Sequence, residues 1–158
     1  MTAPERAVVR LRRTFAASPE RVFRAWLDPD VLSRWMAPGS MRVARAEVDA
    51  RVGGRFRVWH ADAAGAAVGG FDAEVLELVP NERIVFLWRF VGPDREADPG
   101  HDSRLTVTFA PAPEGGTELT LVHERLDALI RARPEIGLNV ESGWASALVR
   151  LGESVAAT

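Results

Sequence analysis

Apolar and polar residues alternate along most of the chain, and the period changes only in a few short stretches and near the C-terminus. Val8–Phe15 reads as a strand: Val9, Leu11 and Phe15 share one parity, and Arg10, Arg12 and Thr14 the other. Arg13 stands on the apolar parity, so it either snorkels at the end of the inner face or meets a buried acid. Ser18-Pro19-Glu20 starts a helix with an N-cap, a proline in the first turn and an acid near the positive end. Its apolar stripe is Val22, Phe23 and Trp26. Asp28-Pro29-Asp30 repeats the start signal for a second short helix that presents Leu32, Trp35 and Met36 and ends at Pro38-Gly39.

Strand character then returns. The pattern predicts strands over Val43–Val52, Arg55–His60, Val68–Val79, Arg83–Val91, Ser103–Phe109 and Thr117–His123. Gly53-Gly54 marks a tight turn or bulge, and a parity change between Val75 and Leu76 predicts a bulge in the long strand. Arg83–Val91 is apolar on both parities, as a central strand would be. Gly92–Asp102 is polar, with two Pro, two Gly and four Asp/Glu, and reads as a loop. Leu126, Leu129 and Ile130 allow a short helical turn. A last helix is expected from Glu135 or Leu138 to about Val155, with Val140, Trp144, Ala147, Leu148, Leu151 and Val155 on one stripe.

The order is strand, two short helices, six strands, one long helix. Such a chain is expected to build an α+β architecture: a curved antiparallel sheet of six to seven strands around the long C-terminal helix. A straight helix cannot fill a curved sheet along its whole length, and the gap is where a small molecule would fit. The chain of 158 residues is read as one domain, with 1–6 and 156–158 frayed.

Composition narrows the chemistry. The absence of Cys excludes disulfides and thiolate sites, and the absence of Lys and Tyr excludes a Schiff base and a catalytic tyrosine. An all-Arg basic complement is what codon bias in a GC-rich genome produces. A net charge of −2 gives no field for nucleic acid, and Arg10, Arg12, Arg55 and Arg57 read as a solvated sheet face. No apolar run resembles a signal peptide or reaches the ~20 residues that span a bilayer. A cytoplasmic protein is expected, as a monomer or a homodimer.

Several stretches, in order, resemble the START-like (SRPBCC) superfamily, and within it the activator-of-heat-shock-protein-ATPase (Aha-type) family. They are Arg13–Trp26, Asp28-Pro29, Trp35, Asp49–Phe56, Pro80–Trp88, Gly116–His123, and Gly143-Trp144 with Leu148 and Leu151. The resemblance implies the helix-grip fold. It brings two functional expectations: a carrier of an apolar or lipid-like molecule, and a module that stimulates a heat-shock chaperone. The chain is read as being without the additional N-terminal domain of the eukaryotic members. Superfamily members also include cyclases, so a cyclase- or hydrolase-type enzyme using the cavity is a further alternative.

The candidate cavity set is Trp35, Trp59, Phe71, Phe86, Trp88, Leu121, His123, Val140, Trp144 and Leu148. Core filling is the ordinary role for any one of these aromatics, but a buried Trp N–H wants a partner, which favours Trp88 and Trp144 as walls. His123 is either a core histidine or a general base with Glu74 or Asp72. His60, His101 and His123 with Asp102 lack metal-ligand spacing, so no metal and no cofactor is expected. Asp49 and Arg51 are read as forming an ion pair with Arg13 that pins the sheet edge. Gly143 before Trp144 lets the helix approach the sheet or leaves room for a ligand.

Overall fold

The computed structural model describes residues 7–94 and 100–156. Seven strands form one antiparallel sheet in the order β1-β7-β6-β5-β4-β3-β2. They are β1 Val9–Phe15, β2 Arg42–Val48, β3 Arg55–Ala61, β4 Ala67–Val79, β5 Arg83–Val91, β6 His101–Pro111 and β7 Thr117–Glu124. The helices are α1 Pro19–Ala25, α2 Pro29–Leu32, α3 Asp127–Ala132, α4 Pro134–Gly137 and α5 Val140–Ala156. This is the α+β helix-grip arrangement, with a curved sheet, short helices after β1 and a long C-terminal helix. No helix among the described residues is long and apolar enough to cross a membrane.

Local chemistry sets the helix starts. Ser18 Oγ accepts from the Arg21 N–H at 3.3 Å, and Asp28 Oδ1 accepts from the Asp30 N–H at 2.9 Å. The predicted β4 bulge lies between Val75 and Glu77, where the pairing with β5 slips. The Gly53-Gly54 turn bonds back to β4: Val75 O accepts from Gly53 N–H and Gly54 O from Val75 N–H. Gly53 has φ +82°, and a Cβ on Gly54 would stand 2.1 Å from Asp49 O, so the turn requires both glycines.

One face of each strand from β3 to β7 is buried, whereas β1 is buried only at its two ends and β2 is only half-buried. Leu105, Val107 and Phe109 of β6 pair with His123, Leu121 and Leu119 of β7 on the inner side. Trp26, Trp35, Trp88, Phe56 and Phe86 are fully buried between sheet and helices. α5 buries Val140, Trp144, Ala147, Leu148, Leu151 and Val155, the stripe expected from its period. Its close approach to β1 is at Gly152, where a Cβ would lie 3.4 Å from the Phe15 ring.

Several boundaries differ from the sequence expectation. α5 begins at Val140, because Pro134 starts a separate turn whose Gly137 sits against Ile130. β6 begins at His101, since His101 and Asp102 pair with Phe90 and Arg89 in the ladder. Asp102 Oδ1 accepts from Arg89 Nε at 2.8 Å, so a polar pair replaces the apolar signal of a strand. β2 ends at Val48 and its register slips between Val43 and Arg45. Part of the expected loop 92–102, the expected frayed 1–6, and 157–158 of the expected frayed 156–158 lie outside the described residues, while Ala156 is not frayed but ends α5. The expected pairing of Asp49 and Arg51 with Arg13 does not form. Asp49 Oδ2 accepts from Arg51 Nε at 2.8 Å, while exposed Arg13 donates to Arg12 O at 2.8 Å.

Candidate functional site

α5 is fastened to the sheet through one hydrogen-bonded chain. Trp144 Nε1–H points at His123 Nδ1 at 3.0 Å, and His123 Nε2 lies 2.7 Å from Ser103 Oγ. Ser103 Oγ in turn donates to Trp88 O at 2.9 Å. The donors and acceptors fit one arrangement only. Nδ1 accepts from the indole, so the neutral ring carries its proton on Nε2 and gives it to the serine oxygen, whose own proton goes to the Trp88 carbonyl. The chain thus joins α5, β7, β6 and β5. The His123 ring also stacks on Phe90, with centroids 5.7 Å apart. Complete burial pushes the His123 pKa down to about 3, because the charged ring would be desolvated without an acid beside it.

That geometry leaves no base at His123. Both ring nitrogens are engaged, and the side chain is shielded from solvent. Asp72 faces the other side of the sheet and accepts from Arg57 Nε at 3.1 Å, and Glu74 is exposed. The acid–base set read from the sequence is not assembled. No group of three potential metal ligands occurs among the described residues.

In front of Trp144 opens a cleft of about 590 Å³, within the range of small-molecule sites, ~300–1,000 Å³. Its floor is Met36, Phe71, Phe90, Val140 and Trp144. One wall is the first two turns of α5, and the facing wall is the segment Ala37–Met41 between α2 and β2. Gly143 belongs to the lining: a Cβ there would meet Pro38 Cβ at 3.5 Å, so the glycine keeps space between the two walls.

The facing wall is held by an arginine. Arg150 Nη1 donates to Ala37 O and Met41 O, each at 2.8 Å, and Nη2 donates to Gly39 O. Ser146 Oγ accepts from the Gly39 N–H at 2.9 Å. Three carbonyls two residues apart thus converge on a planar fork of N–H groups, which fixes the turn against α5. His60 adds a tie from below, its Nε2 lying 2.7 Å from Met36 O.

Of the ten candidate cavity residues, Phe71, Val140 and Trp144 line the cleft, as do Gly143 and His60, which the sequence singled out for other reasons. Trp144 lies between Trp26 and Phe71, with centroids 5.7 and 6.4 Å away. Trp35, Phe86, Trp88, Leu121 and Leu148 are packed in the core and do not line it; Trp35 Nε1 donates to Ala25 O at 3.0 Å. His123 stands behind Trp144 as its hydrogen-bond partner. Trp59 is on the outer face, where the guanidinium carbons of Arg45 and Arg57 lie 4.9 and 5.4 Å from its ring. Its parity with Arg55 and Arg57 carried that information. Arg150 and Ser146 gave no sequence signal, because their partners are backbone atoms more than a hundred residues away.

The family model described as "Activator of Hsp90 ATPase homolog 1-like protein" matches residues 16–156. A human relative, "Activator of 90 kDa heat shock protein ATPase homolog 1", is 28% identical over 114 residues. That match takes in 72% of this chain and 28% of the relative, so the chain spans less than a third of the human protein's length. Among solved structures, a protein from Chromobacterium violaceum is 38% identical, with 94% of this chain and 96% of that one covered and a TM-score of 0.78. A structure named AHSA1 from Silicibacter pomeroyi is 26% identical, with 95% and 98% covered and a TM-score of 0.77. One from Mycobacterium smegmatis, at 22% identity and a TM-score of 0.80 over 99% and 96%, shares the fold. The family match runs from the end of β1 through α5, and the chain belongs to the Activator of Hsp90 ATPase homolog 1-like family.

Proposed function

We propose that the protein binds a small apolar molecule in the cleft between α5, the Ala37–Met41 segment and the floor of β4 and β5. The observation that carries this reading is the position of Trp144. It is the largest aromatic wall of the cleft, and its N–H is already satisfied inside the protein by His123. A ligand therefore meets an indole surface with no unmet hydrogen bond, which is what an apolar molecule requires. The Arg150 fork supports the same reading, since a wall fixed beforehand spares the ligand the cost of ordering it.

Titration with Nile red, an uncharged fluorescent lipophile, tests the proposal. Binding should enhance the dye's emission and quench or shift the tryptophan emission in the same concentration range. Trp144→Leu should weaken binding while the far-ultraviolet circular dichroism stays unchanged. Absence of both signals across a panel of lipophiles would reject the proposal.

The likeness to the human activator supports a second reading, docking on a heat-shock chaperone. Adding the protein to a purified chaperone of that class should raise its ATPase rate. An unchanged rate together with no co-elution rejects that reading and leaves the first standing.

A further inference from the structure

The polar groups around the cleft are unevenly distributed by charge. Among the described residues no Arg lines it, and the one charged lining residue is Glu135. Glu135 Oε1 accepts from Arg133 Nε at 2.7 Å, which holds its carboxyl below the usual range and keeps it ionised. Arg150 is adjacent, but its N–H groups point at the carbonyls of Ala37, Gly39 and Met41. His60 is turned to Met36 O. The positive end of α5 opens on the cleft, and Glu141 in its first turn opposes that half-charge.

The neutral polar groups are otherwise placed. Ser146 Oγ takes the Gly39 N–H and has its own O–H left to give. Asn139 spends one amide hydrogen on Glu135 O, leaving a carbonyl oxygen and a second N–H. Ser142 Oγ donates to Asn139 O and can still accept. These groups offer both donors and acceptors of hydrogen bonds without net charge. We infer that the cleft selects an uncharged apolar molecule carrying one hydroxyl, ketone or amide group, and discriminates against carboxylates of the same size. This inference rests on the reading of the cleft as a ligand site. Its physical basis is that a carboxylate entering here gives up water and gains no cationic partner, whereas a hydroxyl exchanges water for Ser146 or Asn139.

Displacement of Nile red by dodecanol and by dodecanoate, each below its aggregation concentration, tests it. Dodecanol should displace the dye at a concentration at least about ten-fold lower than dodecanoate, given the cost of desolvating an unpaired carboxylate. Ser142→Arg places a cation at the exposed mouth and should reduce or invert that ratio. Equal or tighter binding of dodecanoate to the wild-type protein overturns the selectivity while the ligand site stands, and so does a ratio unmoved by Ser142→Arg. Failure of both molecules, and of Nile red itself, overturns the ligand site with it.

Discussion

Acidification should weaken the protein through His123 in a way that one substitution removes. The imidazole has its ordinary value near 6.5 when the chain is unfolded and about 3 when buried behind Trp144. Between those values the unfolded chain takes up a proton that the folded chain refuses, so stability is complete above 6.5 and declines as the pH falls toward 3. From about pH 8 to about pH 5 the loss from this one group is roughly 2 kcal/mol. Urea unfolding followed by tryptophan fluorescence at the two pH values measures it. His123→Gln keeps a side chain able to accept from Trp144 and donate to Ser103, but it does not titrate. The variant should lose about 2 kcal/mol less than the wild type over the same interval, all other titrating groups being common to both. Equal losses in the two proteins would refute the neutral, doubly hydrogen-bonded histidine.

Other outcomes follow from single contacts. Trp144→Phe keeps an aromatic wall but leaves His123 Nδ1 without a donor, and should cost about 1–3 kcal/mol in chemical unfolding. Arg150→Met frees three backbone carbonyls, one of them on buried Ala37. It should lower stability by about 2 kcal/mol and weaken Nile red binding, with binding more affected than in Arg131→Met, whose arginine pairs only at the surface. Ser18→Ala removes the α1 cap and should cost about 1 kcal/mol, read as a lower urea midpoint with an unchanged slope.

Much of this fold was legible because burial in a sheet follows parity. Leu105, Val107 and Phe109 face Leu119, Leu121 and His123 as their spacing requires, and the α5 stripe is the one its period predicts. Trp59 went to the wrong side in the candidate set because its size outweighed its parity with Arg55 and Arg57. His101 and Asp102 read as loop because an ion pair across the ladder leaves no apolar trace. The cleft was harder to read than the core. Its facing wall is made of Ala37, Gly39 and Met41 carbonyls, which every residue type possesses, so the spacing of side chains says nothing about the arginine that gathers them. The histidine's partners were invisible for a related reason: a serine hydroxyl and an indole N–H come from β6 and α5, far apart in the chain.

The sheet order places β1 at an edge, paired with β7, and among the described residues no strand lies beside its outer row of backbone groups. An open edge invites another molecule to add a strand, and a second copy of the same sequence is always at hand. β1 answers this with three exposed arginines in seven residues, Arg10, Arg12 and Arg13. An antiparallel pairing of two such edges would bring like charges together. The arginine-rich pattern of the first strand thus sets like charges against pairing at this one edge of the sheet, the other edge being β2.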